Sequence, residues 1–213
     1  MTTKNNICSR EFPPEGNSVY LFSKRVVDVC VSLLMLVLFF PPLFIVVSSV
    51  NLLLSSHRYP VFFKQKRTGF HVKTFNCYKF RSMKTSSKYA KTDSERVSRF
   101  GSFIRKYSLD EVPQFFNVLI GQMSLVGPRP HMLRHTVMYS ALIPDYNDRH
   151  AIKPGVTGYA QILGYKGELK ELHQMEKRIE CDLWYIKNRN LLMDLKIIFL
   201  TPVSIFKNIK PFE

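Results

Sequence analysis

Residues 107–130 read YSLDEVPQFFNVLIGQMSLVGPRP, and this stretch places two adjacent carboxylates between a basic segment upstream and a Gly-Pro-Arg-Pro turn downstream. Carboxylates in a cationic setting are suited to chemistry on a phosphate, in which Asp110 would act as the nucleophile or as a metal ligand. The alternative is structural, because Ser108 and Glu111 also match the S-x-x-E capping box of a helix N-terminus.

The same stretch predicts a short helix and a rigid turn. In both interpretations Asp110 lies at a helix N-terminus, whose partial positive charge keeps a carboxylate ionised. Pro113 moves the start of that helix downstream, because a proline inside the helix would clash with the preceding turn. Residues 115–120 continue as a buried helix that Gly121 ends. The turn then presents Arg129 either to a phosphate or to a structural salt bridge.

Length and charge limit the classes of protein. A chain of 213 residues has room for one domain of ordinary size with an appendage. Its formal net charge of +15 is concentrated in residues 58–106, which contain 14 Lys or Arg and two acidic residues. Such a block predicts a surface for nucleic acid, anionic lipid or phosphorylated substrates. Phenylalanines and tyrosines are interleaved with these charges, so we expect the block to be folded.

Motifs for common cofactors are absent from the sequence. The four cysteines have no C-x-x-C or other metal-ligand spacing and are interpreted as free thiols in a reducing compartment. His131 and His135 would share a helix face, but the residues between them supply no general base of the H-E-x-x-H kind. The sequence contains neither G-x-x-x-x-G-K-S/T nor G-x-G-x-x-G, which excludes a P-loop and a dinucleotide fingerprint.

An apolar run at 26–54 is interrupted by Asp28 and by Pro41-Pro42. Its central residues, 29–50, would span about 33 Å as one straight helix, enough to cross a bilayer core of about 30 Å. The prolines argue against one straight helix, because each removes a backbone donor and disfavours helix at the residue before it. Two arms of about 12 residues would reach only about 18 Å each. We therefore expect a helix-break-helix that enters one leaflet and returns, and a kinked spanning helix is the alternative.

Charge supports a topology with both ends on the same side. Lys24 and Arg25 precede the apolar run and Arg58 follows it, and basic residues near membrane segments favour the cytoplasmic side. Asp28 is interpreted as an interfacial anchor that pairs with Lys24 or Arg25.

The rest of the chain is predicted to alternate short strands, loops and helices. The predicted elements are a hairpin or two short strands within 59–83 with a turn at Thr68-Gly69, a loop over a site at 84–95, a helix within 131–150 broken at Pro144, a Gly/Pro-rich loop at 153–158, an amphipathic helix at 168–190 and an apolar segment at 191–206 that lies along a membrane surface.

Taken together, these segments resemble the bacterial sugar transferases, the polyprenyl-phosphate sugar-1-phosphate transferases that include the small monotopic phosphoglycosyl transferases. The resemblance covers about residues 24–200. It rests on an ordered set of motifs: KRVVD at 24–28, QKRTG at 65–69, YKFRSM at 78–83, SLDEVPQ at 108–114, NVLIG at 117–121, MSLVGPRP at 123–130, KPGVTG at 153–158 and DLK at 194–196. Each motif is weak alone, and the set is specific.

The residue patterns and the resemblance together imply an α+β, mainly helical fold in a monotopic membrane protein. They divide the chain into a polar lead at 1–23, a re-entrant membrane hairpin at 24–57 and a compact cytosolic catalytic domain with interfacial helices at 58–213. Pro41 and Pro42 stand where the family breaks its membrane helix. The implied location is the bacterial inner membrane, with the catalytic domain on the cytoplasmic face.

The activity that the resemblance implies is transfer of a sugar-1-phosphate from a UDP-sugar to undecaprenyl phosphate, with release of UMP. This reaction initiates glycan assembly of the exopolysaccharide, capsule or O-antigen type. Asp110 matches the nucleophile that attacks the β-phosphate and forms an aspartyl phosphosugar. Glu111 matches its acidic partner, and the pair is associated with Mg²⁺.

The same resemblance implies the residues that bind substrate. Arg81, Arg129 and, less directly, Lys66 match basic residues near the diphosphate or the uridine. Pro128 and Pro130 frame Arg129 in its turn and are included in the implied substrate site. No nucleic-acid partner is implied, and association of copies of this chain is left open.

Two positions refine the comparison. Gln122 stands where the family often has Asp, so an acidic metal ligand is absent there. The segment 164–168, GYKGE, resembles a variant in members that start polymers with glucose or galactose phosphate. The alternative from another class is a non-catalytic, basic, membrane-anchored protein that binds anionic lipid or nucleic acid. Such a protein would gain nothing from Asp110 and Glu111 within its basic surface.

Overall fold

The computed structural model describes residues 17–54, 60–83, 97–167 and 171–207. Within these ranges the chain is mostly helical with two small two-stranded sheets, which confirms the predicted α-rich, mixed fold. The helices and strands are α1 (Ser18–Leu38), α2 (Phe40–Leu54), β1 (Phe62–Thr68), β2 (Thr74–Phe80), α3 (Arg99–Lys106), α4 (Gln114–Leu119), β3 (Ser124–Val126), α5 (Leu133–Leu142), β4 (Gly155–Thr157), α6 (Tyr159–Ile162), α7 (Leu172–Asn188) and α8 (Leu191–Phe206).

The N-terminal helix is broken just ahead of the two prolines. α1 and α2 are separated by Phe39 and bent by 46° relative to each other. Pro41 and Pro42 lie in the first turn of α2, where a missing backbone N–H leaves no helical hydrogen bond unmade. The predicted break is confirmed, although its arms are 21 and 15 residues long. Within the described part of the chain no single helix is long and apolar enough to cross a membrane, and α1 and α2 pass that test only as a bent pair.

α1 begins earlier than the sequence suggested. The Asn17 side chain accepts a hydrogen bond of 2.9 Å from the backbone N–H of Val19, which is the usual contact of a helix N-cap. Residues 18–23, predicted as part of a polar lead, are therefore the first turns of this helix.

Asp28 binds strand β3 rather than a membrane interface. Its side chain is buried, and Oδ1 accepts hydrogen bonds from Ser124 Oγ at 3.1 Å and from the Leu125 N–H at 2.9 Å. β4 pairs with β3 at Ser124 and Val126, so the N–H of Leu125 faces the other way and needs an acceptor. The prediction of an interfacial anchor paired with Lys24 or Arg25 was wrong for this reason.

β3 and β4 form a parallel pair that the sequence did not reveal. Each strand has three residues, and the register pairs Ser124 with Gly155 and Val126 with Thr157. A Cβ atom at Gly155 would lie 2.1 Å from the backbone nitrogen of Gly127, so this close approach requires glycine. β3 is buried among α1, α7 and α8, in a core cluster that includes Leu125 and Val126. The pair thereby fixes the segment that leads into the Gly-Pro-Arg-Pro turn.

β1 and β2 form the predicted hairpin. The strands are antiparallel, with a register that runs from Phe62 opposite Phe80 to Thr68 opposite Thr74. Phe40, at the start of α2, stacks on Phe62 and Phe80 at ring-centroid distances of 6.1 and 5.6 Å. The bend between α1 and α2 is thus packed directly against the hairpin.

Three further predicted helices are confirmed with shifted ends. α4 corresponds to the helix predicted at 115–120, and α7 corresponds to the one predicted at 168–190. α5 corresponds to the first part of the helix predicted within 131–150, and it ends at Leu142, ahead of the predicted break at Pro144. α8 covers the predicted apolar segment 191–206, and its position at a membrane surface stays a prediction. The predicted loop at 84–95 lies outside the described residues.

Candidate active site

The acidic pair lies in a short 3-10 turn, Leu109–Glu111, between α3 and α4. Ser108 has φ 56° and ψ 20°, and its side chain makes no capping hydrogen bond. The capping-box prediction was wrong because an N-cap residue needs an extended backbone. α4 begins only after Pro113, so the clash that this proline would cause inside a helix does not arise.

Glu111 is bonded to two cations. Its Oε1 accepts from Arg129 Nη2 and from Lys79 Nζ, both at 2.6 Å, and Oε2 accepts from Arg129 Nη1 at 3.2 Å. Burial alone would raise the pKa of Glu111, but the guanidinium and the ammonium outweigh burial and hold this pKa well below its usual range. Arg129 therefore makes the salt bridge that was one of its two predicted roles.

Asp110 has a different environment from its neighbour. Its side chain is buried, with 8% exposed, and no described group donates a hydrogen bond to it. Burial and the adjacent Glu111 charge raise the pKa of Asp110 to about 6, although Lys79, Arg105 and Arg129 act in the opposite direction. A helix N-terminus would lower the pKa of a carboxyl group, so this upward shift is opposite to the predicted effect. At neutral pH the carboxylate is still mainly ionised, and it faces the cleft described below.

The acidic pair opens into a cleft of about 1620 Å³. One part of its wall is strongly cationic and another part is apolar. The cationic lining residues are Lys66, Arg67, Lys79, Arg81, Arg105, Lys106, Arg129, Arg134 and Lys166. The apolar lining residues include Met35, Phe39, Phe103, Phe115, Ile205 and Phe206. Because Met35 and Phe39 lie at the end of α1, the cleft extends from the acidic pair to the bend between the N-terminal helices.

Arg81 and Lys66, both predicted to bind substrate, lie along this cleft. Arg81 donates to the carbonyls of Pro60 at 2.9 Å and Phe62 at 3.5 Å, and its guanidinium lies 5.7 Å from the centroid of the Phe63 ring. These contacts hold Arg81 against the end of the hairpin.

Pro128 and Pro130 flank Arg129 and are not among the residues that line the cleft. The Pro128 carbonyl accepts from the Gly155 N–H at 3.0 Å, and the Pro130 carbonyl accepts from Arg67 Nη1 at 3.1 Å. These two bonds hold the backbone of the turn that carries Arg129.

A magnesium ion is the cofactor that the resemblance implies. Mg²⁺ usually binds one or two carboxylates together with water and substrate phosphates. In the described ranges no group of three or more His, Cys, Asp or Glu side chains is placed to hold a metal, so a metal would depend on the acidic pair. Asp110 fits this role because no described donor occupies its carboxylate. Glu111 fits less well, since both of its oxygens already bind cations.

Lys79 was not singled out by the sequence patterns, although it binds Glu111. Side chains alternate between the two faces of a strand, so Phe75, Cys77 and Lys79 share one face of β2. Phe75 and Cys77 are buried, and that face turns toward the 3-10 turn of the acidic pair. The alternation of side chains in TFNCYKF would have predicted that Lys79 lies on the same face as the buried Phe75 and Cys77.

A cleft that joins a carboxylate pair, an excess of cations and an apolar wall is suited to an enzyme that acts on phosphates, one of which is carried on an apolar chain. Residues 19–208 match the family model described as bacterial sugar transferase. The chain belongs to this family, and the resemblance inferred from its motifs is confirmed.

Individual relatives agree with the family. The chain is 46% identical over 197 residues to a UDP-glucose:undecaprenyl-phosphate glucose-1-phosphate transferase of Klebsiella pneumoniae. These 197 residues are 90% of this chain and 42% of that protein. It is 45% identical over 190 residues to the protein of the same name in Escherichia coli K12. These 190 residues are 87% of this chain and 40% of that protein. An exopolysaccharide production protein of Rhizobium leguminosarum is 40% identical over 193 residues, which cover 86% of this chain and 95% of that protein. The chain thus spans less than half of the length of the first two relatives.

Proposed function

We propose that this protein is a phosphoglycosyl transferase that moves a sugar-1-phosphate from a UDP-sugar to undecaprenyl phosphate and releases UMP. The observation that carries the proposal is the contrast within the acidic pair: Asp110 lines the cleft without a hydrogen bond from any described group, while Glu111 binds Arg129 and Lys79 in the same cleft. The names of the Klebsiella and Escherichia relatives support both substrates.

In the first step an oxygen of Asp110 attacks the β-phosphorus of the UDP-sugar. A carboxylate–phosphorus bond forms while the bond between that phosphorus and the oxygen bridging to the α-phosphate breaks, and UMP leaves with that oxygen. In the second step a phosphate oxygen of undecaprenyl phosphate attacks the same phosphorus, and the Asp110 carboxylate leaves. Two steps allow a water-soluble and a membrane-embedded substrate to use one site in turn.

The cations of the cleft have a defined part in this scheme. A diphosphate repels an anionic nucleophile, so positive charge must be in place before Asp110 attacks. Glu111 orients Arg129 and Lys79 in the absence of substrate, which lowers the cost of reorganising them during the reaction. A Mg²⁺ ion bound at the acidic pair would supply further neutralisation of the diphosphate.

The bent helix pair is proposed to be a re-entrant membrane hairpin on the cytoplasmic face of the bacterial inner membrane. Lys24, Arg25 and Asp28 on α1 are bonded to α8, α4 and β3, so only residues 29–38 of α1 extend beyond them. Ten residues of helix reach about 15 Å, half of a bilayer core. Many apolar side chains on these two helices and at the break between them are exposed: Leu33, Leu34, Val37, Leu38, Phe39, Phe44, Ile45 and Val46.

The donor is proposed to carry a hexose such as glucose or galactose. The printed names of the Klebsiella and Escherichia relatives specify glucose-1-phosphate. In this chain Lys166 and Gly167 of the GYKGE segment line the cleft, which supports a role for these two residues in contacting the sugar.

Binding of anionic lipid without chemistry is the second candidate function, and the net charge of +15 favours it. A buried acidic pair in the cationic cleft argues against it, since a purely electrostatic binder is weakened by such a pair. Purified protein in detergent with Mg²⁺ and undecaprenyl phosphate should release UMP from one UDP-hexose in a panel of UDP-sugars. Binding to anionic vesicles without UMP release from any donor would favour the binding protein.

A further inference from the structure

The backbone around Arg129 is held by hydrogen bonds from separate parts of the chain. Four consecutive carbonyls accept them, from Pro128 (Gly155 N–H, 3.0 Å), Arg129 (Arg149 Nη2, 2.8 Å), Pro130 (Arg67 Nη1, 3.1 Å) and His131 (Thr68 N–H, 3.0 Å). Because four consecutive carbonyls are hydrogen-bonded, the backbone dihedral angles of this segment have little freedom to change. The direction in which the Arg129 side chain leaves the turn is therefore determined by these donors.

Of the two side-chain donors, Arg67 lines the cleft, whereas Arg149 is buried and does not line it. It lies in the 3-10 turn Tyr146–Ala151, and its side chain is 1% exposed. Nε and Nη2 donate to Asp182 Oδ2 on α7 at 3.1 and 2.7 Å. The guanidinium also lies 5.5 Å from the centroid of the Tyr146 ring. Asp182 therefore orients Arg149, and Arg149 in turn bonds the Arg129 carbonyl.

A buried ion pair is weak evidence for a role in stability, because desolvation of two charges offsets their attraction. This pair also fixes the backbone of the Arg129 turn through the bond from Nη2 to the Arg129 carbonyl, which an apolar pair of the same size could not form. We propose that Arg149 is a positioning residue that acts through Arg129, with Asp182 holding it in place. It fixes the turn so that the Arg129 guanidinium meets Glu111 and the diphosphate of the substrate. The catalytic part of this inference rests on the proposed function.

The test removes both charges of the pair together, so that neither is left buried without the other, while the neighbouring Arg178 keeps its bonds to the Tyr165 and Gly167 carbonyls. The variant Arg149→Met with Asp182→Leu should fold, because apolar replacements of a buried pair are often tolerated. Its kcat for UMP release should fall about 10- to 100-fold, as for other residues that orient a functional group, with a smaller change in KM. Val118→Ala is the control, since the cavity it creates lies in the core cluster with Phe75, Cys77 and Met123, which contains neither Tyr146 nor a residue of the Arg129 turn. Equal losses of kcat in the two folded variants would overturn the proposal.

Arg149→Lys is the second variant if the double substitution fails to fold. It keeps a positive charge beside Asp182, but a single ammonium on a shorter chain cannot reproduce the forked contacts to Asp182 and to the Arg129 carbonyl. Its kcat should also fall, and wild-type kcat in folded Arg149→Lys would contradict the role.

A double-mutant cycle separates positioning from general destabilisation. If Arg149 acts through Arg129, the Arg149→Met/Asp182→Leu change should have little further effect on kcat in an Arg129→Ala background. If the buried pair is merely structural, the two losses should multiply, and that result would refute the assignment.

Hydrogen exchange gives a readout that does not depend on activity. Backbone amides within residues 126–131 should exchange faster in the Arg149→Met/Asp182→Leu protein than in wild type, and Val118→Ala should leave their protection unchanged. Unchanged protection of this segment in the double variant would overturn the positioning role. Absence of UMP release from the wild-type protein would instead count against the proposed function, and the exchange experiment would still decide the role of Arg149.

Discussion

Lys24 on α1 forms an ion pair of 2.8 Å with Asp194 on α8, and the same ammonium donates to the Val126 carbonyl at 3.0 Å. The two side chains are 13% and 3% exposed. Arg25 donates to the carbonyls of Val118 and Leu119 at the end of α4, both at 2.7 Å. Both residues were predicted as a basic flank of a membrane segment. The structure shows that they also join α1 to β3, α4 and α8.

Removal of Lys24 should destabilise the protein. In Lys24→Met the Asp194 carboxylate stays buried without its cation, which should cost about 3 kcal/mol in the free energy of unfolding. Thermal or denaturant unfolding in detergent measures this loss. Lys177→Met is the control, because the Lys177–Glu180 pair is exposed and should contribute little or nothing. Equal stability of the two variants would contradict the role of the buried pair.

Replacement of Arg129 by lysine should impair UMP release. Lysine keeps the charge but loses the two-pronged contact with Glu111, so kcat/KM should fall about 10- to 100-fold. Steady-state UMP release measures the change. Arg99→Lys, on the exposed face of α3 and outside the cleft lining, should keep wild-type activity. An Arg129→Lys protein as active as Arg99→Lys would show that the forked contact has no part in the reaction.

The pH profile of the first step should reflect Asp110. Burial and the Glu111 charge raise the pKa of Asp110 to about 6, and the nucleophile is lost as the pH falls through that value. The kcat/KM for UMP release should therefore drop about tenfold per pH unit below about pH 6 and level off above about pH 7. Lys79→Met removes a charge that lowers the pKa of Asp110, so its acid limb should move to higher pH. An acid limb that stays in place in Lys79→Met would contradict this electrostatic coupling.

The topology of the helix pair can be tested by labelling. Single cysteines at positions 17 and 56, in a variant whose native cysteines are replaced, should both be inaccessible to a membrane-impermeant reagent added to intact cells. Both should react after the membrane is opened. Reaction of one of the two in intact cells would show a spanning helix instead of a re-entrant hairpin.

Local signals predicted much of the fold. The hairpin with its turn near Gly69, the break at Pro41-Pro42 and the amphipathic helix α7 all depend on residues close together in the chain. The acidic pair was also visible locally, since two carboxylates stand out in a basic sequence.

The contacts that define the site connect distant residues and could not be predicted in this way. Glu111 meets Lys79 across 32 positions, and Asp28 meets Leu125 across 97. The β3–β4 pair was missed because three-residue strands are too short to show alternation. The raised pKa of Asp110 depends on burial, which a sequence does not report.

The central claim is that Asp110 forms a covalent bond to the sugar phosphate. Purified protein mixed with its UDP-sugar in the absence of undecaprenyl phosphate should release about one UMP per protein molecule, the burst expected of a covalent intermediate. Mass spectrometry should then find one added sugar phosphate on the peptide that contains Asp110. Asp110→Asn should show neither the burst nor the added mass, while Glu180→Gln, an exposed carboxylate on α7, should show both. A full burst of UMP from Asp110→Asn would contradict the account.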